Sequence, residues 1–227
     1  ELLTRHGNVM DVYDPSKRIG LVLDEWGTWF EVEPGTNPGF LYQQNTMRDA
    51  LVASVHFDSF HRHADRLVMA NIAQTVNVLQ AVLLTDGDTL IKTPTYHVFE
   101  MNRAHHDADS LAVAWIGEPV PTRQVGRTAL PLLSGSASVK DGVALVSLSN
   151  LDLDEPRTVR LDLRGRSIDA VEGRILTAGA IADHNTAQAP DAVTPAEFAV
   201  GAPVDGILEV ELPPHSFATV SLTLAAA

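Results

Sequence analysis

Cysteine is absent from the 227 residues. That excludes a disulfide framework, a thiolate metal site and a cysteine nucleophile, and it fits a reducing compartment. Positive charge is scarce: 16 Lys and Arg stand against 29 Asp and Glu, a formal charge of −13. Nucleic-acid backbones and anionic membranes attract basic faces, so neither is an expected partner. No apolar run approaches the roughly 20 residues of a membrane-spanning helix. G-x-S-x-G, G-x-G-x-x-G and P-loop patterns are also missing, which removes the usual serine-hydrolase elbow and the common phosphate cradles. No signal-peptide layout precedes the first helical pattern, and Glu1 already lies within that pattern. The sequence is therefore expected to begin at a cut or processing point.

What is present is globular: 45% hydrophobic and 20% charged residues, enough for a sizeable core. The first hundred residues alternate helix and strand signals. Leu2, Leu3, His6, Val9, Met10 and Tyr13 mark one helical face, which Asp14-Pro15 ends. Ile19 to Trp26 is a nearly continuous apolar run ending in charge and predicts a strand buried on both faces, as in a parallel sheet. Thr46 with Asp49 forms a capping-box pattern for a helix carrying Met47, Ala50, Leu51, Ser54, Phe57 and Ala64 inward. Leu67 to Ile72 predicts a second buried strand, and Thr93-Pro94 opens a helix reaching about His106. The alternation is βαβ-like.

From Asp107 the pattern changes to short runs. Leu111–Ile116, Ala137–Val139, Val143–Leu148, Thr158–Leu163, Ala170–Thr177, Ile207–Leu212 and Ala218–Leu224 are separated by turn signals such as Asp141-Gly142, Arg164-Gly165 and Asp205-Gly206. Strands at that spacing predict an all-β sandwich. The sandwich takes about 120 of the residues and leaves about 105 for an α/β part with two strands, whereas a whole (β/α)8 barrel needs about 250. The expectation is the C-terminal portion of a larger α/β domain over 1–106, followed by a sandwich over 107–227.

Asp24-Glu25-Trp26 stands where the first strand meets its loop, the end at which α/β sheets and barrels bind ligands. A carboxylate there, beside Trp26, Trp29 and Phe30, suits work on a sugar: aromatic faces stack on C–H surfaces, and the carboxylate can act as nucleophile or acid. Spacing leaves a second reading open, in which the acidic strand end caps the next helix or pairs with an arginine. The nine histidines do not combine into a metal site by spacing. His61 and His63 cannot share a helical face, and three or four converging ligands are required, so cationic histidines near helix ends are expected instead. Asp65-Arg66 is expected to form an ion pair or orient the barrel end, and Gln80 and Asn77 to reach a pocket or pack a loop.

The segments GLVLDEWGTW, EPGTNPGFLYQQNTMRDAL, RHADRLVMANIAQTVNVLQAV, PTYHVFEM, DHNTAQAPDAV and LPPHSFATVSL are spread from residue 20 to residue 222. They resemble glycoside hydrolase family 51, the α-L-arabinofuranosidases. The resemblance implies the C-terminal portion of a (β/α)8 barrel, strands seven and eight with their helices, followed by a jelly-roll-like β-sandwich. It implies a retaining exo-glycosidase that removes terminal α-L-arabinofuranosyl groups from arabinan or arabinoxylan oligosaccharides, without a metal or organic cofactor. Glu25 matches the family's nucleophile, Gln74 its sugar-contacting glutamine, and Trp26 and Trp29 flank the sugar. The family's general acid/base is a Glu in an Asn-Glu motif, and no Asn-Glu dipeptide occurs here. The second carboxylate is thus expected on the N-terminal remainder of the barrel. The resemblance further implies a homo-oligomer, a hexamer, and a cytoplasmic life on imported oligosaccharides. Two alternatives stay open: another glycosidase activity of the family, endoglucanase or β-xylosidase, or a non-catalytic sugar-binding or structural fragment.

Overall fold

The computed structural model describes residues 1–225. Helix α1 (Leu2–Tyr13) ends at Asp14, strand β1 (Leu21–Trp26) follows, and helix α2 (Met47–His61) leads to β2 (Leu67–Ile72). The predicted capping box is in place: Asp49 accepts from the Thr46 N–H at 2.8 Å, and Thr46 Oγ1 accepts from the Arg48 N–H at 3.2 Å. A hairpin, β3 (Leu83–Asp86) and β4 (Thr89–Lys92), precedes helix α3 (Pro94–Asn102), which tightens into a 3-10 turn over Arg103–His105. The hairpin was not predicted, because its four-residue strands carry no alternation long enough to register.

β1 and β2 pair in parallel, Leu21 with Leu67 and Trp26 with Ile72. Leu23, Leu67, Ala70 and Ile72 pack against the core that α2 and α3 build around Trp26, Met47, Phe60 and Val98. The expectation of two strands buried on both faces is corrected here. Val22, Val68 and Met69 are exposed, since two strands with helices on one side leave the other side open. α1 likewise forms as predicted yet buries no residue, and Val9, Val12 and Tyr13 face solvent. Ala64, expected inward, lies exposed in the turn after α2.

The strands after residue 107 make the predicted sandwich. β5 (Asp109–Leu111), β8 (Leu133–Lys140), β9 (Val143–Asn150), β11 (Ile168–Leu176), β12 (Ala196–Glu197) and β14 (Ser216–Leu224) form one sheet, in the order β12-β11-β14-β9-β8-β5. The antiparallel pair β10 (Arg157–Asp162) and β13 (Ile207–Leu212) lies over it, and Val146, Leu148, Val159, Leu208, Val210 and Val220 fill the space between. Asp141 and Gly142, at φ 50° and 81°, make the tight β8–β9 turn that the Asp-Gly signal predicted. A small hairpin, β6 (Thr122–Val125) and β7 (Thr128–Pro131), was not predicted, and the run Leu111–Ile116 is strand only at its start.

The second face of the large sheet docks on α2 through a serine ladder. Ser134 and Ser136 of β8 lie opposite Ser149 and Ser147 of β9. Asp58, wholly buried on α2, accepts from Ser134 at 2.6 Å and from Ser136 at 2.7 Å. Burial pushes its carboxyl up to about 6, against the pull of the two serine donors. His61 contacts Ser136 at 2.9 Å, and His105 lies between Ser138 and Ser147 at 2.8 Å each. Ser147 also donates to Asn102, so His105 fits a neutral ring protonated at Nε2. Burial lowers His61 to about 4 and His105 to about 3. These histidines are neutral seam residues, which corrects the expectation of cations at helix ends. Arg66 meets the expectation of an ion pair: its guanidinium bonds Asp14 at 2.8 Å and also Asp11, joining the end of α1 to the start of β2.

Candidate active site

Glu25 is the penultimate residue of β1, and Gln74 follows β2 by two residues. The Ala73 N–H donates to Trp26 O at 2.8 Å, carrying the parallel ladder past the strand ends. Glu25 and Gln74 therefore flank the last rung at the same, carboxyl, edge. Both are exposed, and neither side chain has a hydrogen-bond partner among the described residues. The helix-capping and arginine-pairing readings of Glu25 find no support: the α2 cap is Thr46 with Asp49, and among the described residues no arginine pairs with Glu25.

Trp26 and Trp29 separate sharply. Trp26 is 6% exposed, stacked on Phe99 (5.9 Å, 12°) and His56 (5.1 Å, 20°), with Phe57 and Phe60 edge-on. Its expected role as a sugar-stacking face is corrected. Trp26 packs toward α2 and α3 in the same core as Leu23, three residues earlier and across a break in the regular register, while Glu25 stays exposed. Trp29 is 67% exposed and free to meet a ligand.

The loop that presents Trp29 is held by buried amides. The Thr28 N–H donates to Gln80 Oε1 at 2.9 Å, and Thr28 Oγ1 donates to Asp49 at 3.0 Å. The Phe30 N–H donates to Gln43 Oε1 at 2.9 Å, and Gln80 Nε2 donates to Asp49 O at 2.8 Å. Gly27 turns the chain at φ 145°, where a Cβ would sit 3.3 Å from Ala73 O. Gln80 thus packs the loop, as one of its two expected roles. Gln43 was missed: the pair Gln43-Gln44 sits in a loop with no periodic signal, and only burial marks the first of them.

Beside Gln74 lies a cavity of about 830 Å³. The Phe40–Tyr42 loop, the start of the β3–β4 hairpin and the sandwich loop His184–Gln188 line it, and Asn77 borders it with its side chain bonded to Thr85, packing the loop as one of its two expected roles. Glu25 and Trp29 are outside this lining, on the neighbouring surface of the strand ends. The sandwich loop is fixed in place. Asp183 O and Ile181 O accept from the first N–H groups of α2 at 2.9 and 3.0 Å, and buried Asn185 bonds Lys92 O and Val193 O.

Residues 24–216 match the family described as the α-L-arabinofuranosidase C-terminal domain. An intracellular exo-α-L-arabinofuranosidase of Bacteroides ovatus is 46% identical over 98% of this chain, and one named for exo-α-(1→5) action in Bifidobacterium longum is 25% identical over 90%. These alignments take in 43% and 41% of the two relatives, so the chain spans under half their length. The crystal structure of the family 51 arabinofuranosidase of Xanthomonas axonopodis pv. citri superposes with a TM-score of 0.92 at 49% identity, over 97% of this chain and 44% of that one. An arabinose-complexed enzyme of Thermotoga maritima, at 19% identity and a TM-score of 0.75, shares the fold. On these matches the chain belongs to glycoside hydrolase family 51, in the α-L-arabinofuranosidase C-terminal-domain family.

Proposed function

We propose that the whole protein is a retaining exo-α-L-arabinofuranosidase and that this chain supplies its nucleophile, Glu25. The carrying observation is the placement of Glu25 and Gln74 at one edge of the parallel pair, in a chain 46% identical to a named exo-arabinofuranosidase. In this reading residues 1–106 are the last part of the barrel and 107–227 the sandwich, and the N-terminal remainder brings the second carboxylate. Glu25 attacks the anomeric carbon of a terminal arabinofuranosyl group while that second carboxylic acid protonates the departing oxygen. Water, activated by the same second group, then releases the sugar from Glu25. Retaining chemistry needs the two carboxyls about 5–5.5 Å apart. Gln74 hydrogen-bonds a sugar hydroxyl, and Trp29 offers a flat apolar face at the rim. The proposed setting is a cytoplasmic homo-oligomer, a hexamer, acting on imported arabinan or arabinoxylan fragments, with no cofactor. The test is the anomeric configuration of arabinose at the moment of release, read by proton NMR on the full-length enzyme. Retention is expected; inversion would exclude a covalent intermediate on Glu25.

A further inference from the structure

The cavity beside Gln74 has the makings of a sugar site that the catalytic edge does not use. Its volume, about 830 Å³, falls in the roughly 300–1,000 Å³ range of small-molecule sites, more room than one pentose needs. Its walls hold unused hydrogen-bonding groups: the amides of Gln44, Gln74 and Gln188, the Tyr42 hydroxyl and His184 Nε2 have no partner among the described residues. Burial and the nearby Glu33 carboxylate raise the Tyr42 phenol, which keeps it a neutral donor. Phe40, 69% exposed, supplies an apolar face beside these groups. Among the described residues no lysine or arginine lines the space, and its one acidic lining residue, Asp86, is an acceptor that repels anions, so it has no charge complement for a phosphate or a carboxylate. Neutral amides and a phenol, with the Asp86 carboxylate as an acceptor, around aromatic faces match a polyhydroxylated, uncharged chain.

Position says which part of that chain. Gln74 belongs both to the catalytic edge and to the cavity wall, so a ligand extending from the cavity reaches the strand ends. The opposite wall is sandwich loop, held rigidly against α2 by Asp183 and Ile181. A terminal arabinofuranosyl group occupies the catalytic edge, which leaves the cavity for the sugars on the leaving side of the scissile bond. We propose that the cavity is a binding site for the leaving-side oligosaccharide, with the sandwich residues His184 and Gln188 as determinants of preference for chain length. The proposal rests on the arabinofuranosidase reading.

The experiment compares the full-length enzyme with its His184→Ala and Gln188→Ala variants. The substrates are nitrophenyl arabinofuranoside, which has no leaving-side sugar, and arabinan-derived di-, tri- and tetrasaccharides. Each lost neutral hydrogen bond is expected to lower kcat/KM on the trisaccharide and tetrasaccharide about tenfold, mainly through KM. Rates on the nitrophenyl substrate stay within about twofold, and melting temperatures match the parent. Equal losses on all substrates, or unchanged rates on the longer ones, would overturn the proposal while leaving the enzyme an arabinofuranosidase. A parent enzyme inactive on every arabinoside would overturn the arabinofuranosidase reading and the cavity's role with it. Should His184→Ala melt early, Gln188→Ala and the milder Tyr42→Phe carry the same comparison.

Discussion

Trp26 and Phe99 lie nearly parallel, 5.9 Å between ring centroids and 12° between planes, while Glu25, one residue earlier, faces solvent. A break in the register between Leu23 and Trp26 turns Trp26 into the core that Leu23 also meets and leaves Glu25 outside it, so one strand end supplies a core anchor and an exposed carboxylate together. Trp26→Ala in the full-length enzyme is expected to cost about 3–5 kcal/mol, the usual loss for a large buried aromatic. Trp29→Ala is expected to stay within about 0.5 kcal/mol, because its ring is exposed, and to raise KM for arabinosides. Denaturant melts and steady-state kinetics on the two variants check both halves. An unstable Trp29→Ala protein with unchanged KM would remove Trp29 from the site.

Glu25→Ala is expected to leave folding intact, since the side chain makes no hydrogen bond, and to abolish cleavage of nitrophenyl arabinofuranoside. Azide then restores turnover by entering the vacated space and attacking from the same face. The product is a glycosyl azide of inverted configuration, because one displacement replaces two. A folded Glu25→Ala protein with the parent rate would remove Glu25 from catalysis.

The helix starts, the parallel strands and most of the sandwich were legible because each has a local chemical cause. Thr46 and Asp49 cap within one turn, and Asp141-Gly142 sets one hairpin. The burial of Trp26 was not legible. Apolar residues on a strand end look alike until it is known which face carries helices. The serine ladder had a readable signal, serine at 134, 136 and 138 and again at 147 and 149. That alternation predicts a polar face, and only the docking of α2 turns the face inward. The cavity could not be read at all, since its walls come from segments near residues 40, 74 and 186, which only the tertiary fold brings together.

Arg66 bonds Asp14 by side chain and backbone, reaches Asp11 and also donates to Ile19 O at 2.9 Å. Asp14 is held below the ordinary carboxylate range, first by the Ile19 N–H, and Arg66 adds to that pull. Arg66→Met removes the joint between α1 and β2 and leaves Asp14 with only the exposed Arg18, 3.8 Å away, as a cationic neighbour. Hydrogen exchange on the full-length enzyme is expected to show faster exchange across Leu2–Tyr13, with the sandwich strands unchanged. Uniform acceleration across the chain would mean that Arg66 serves global stability and does not specifically hold α1.

Acid should weaken the seam between α2 and the sandwich. Asp58 titrates near 6 in the folded protein, above the roughly 3.9 of a free aspartate. Its contribution is therefore most favourable below about pH 4 and is lost as pH rises through about 6. His61 and His105 run the other way. Lowered to about 4 and about 3 from an ordinary value near 6.5, they contribute fully above about 6.5 and lose that contribution as pH falls. Arg62, beside both Asp58 and His61, keeps its charge throughout. Between pH 6 and 4 two histidines lose while one carboxyl gains, so net stability drops on acidification. Asp58→Asn removes the opposing gain. Its melting temperature relative to the parent is expected to be highest near pH 7 and to fall by several degrees toward pH 4. Thermal melts at half-unit pH intervals read this directly; a constant difference across the range would mean that Asp58 titrates like a free aspartate.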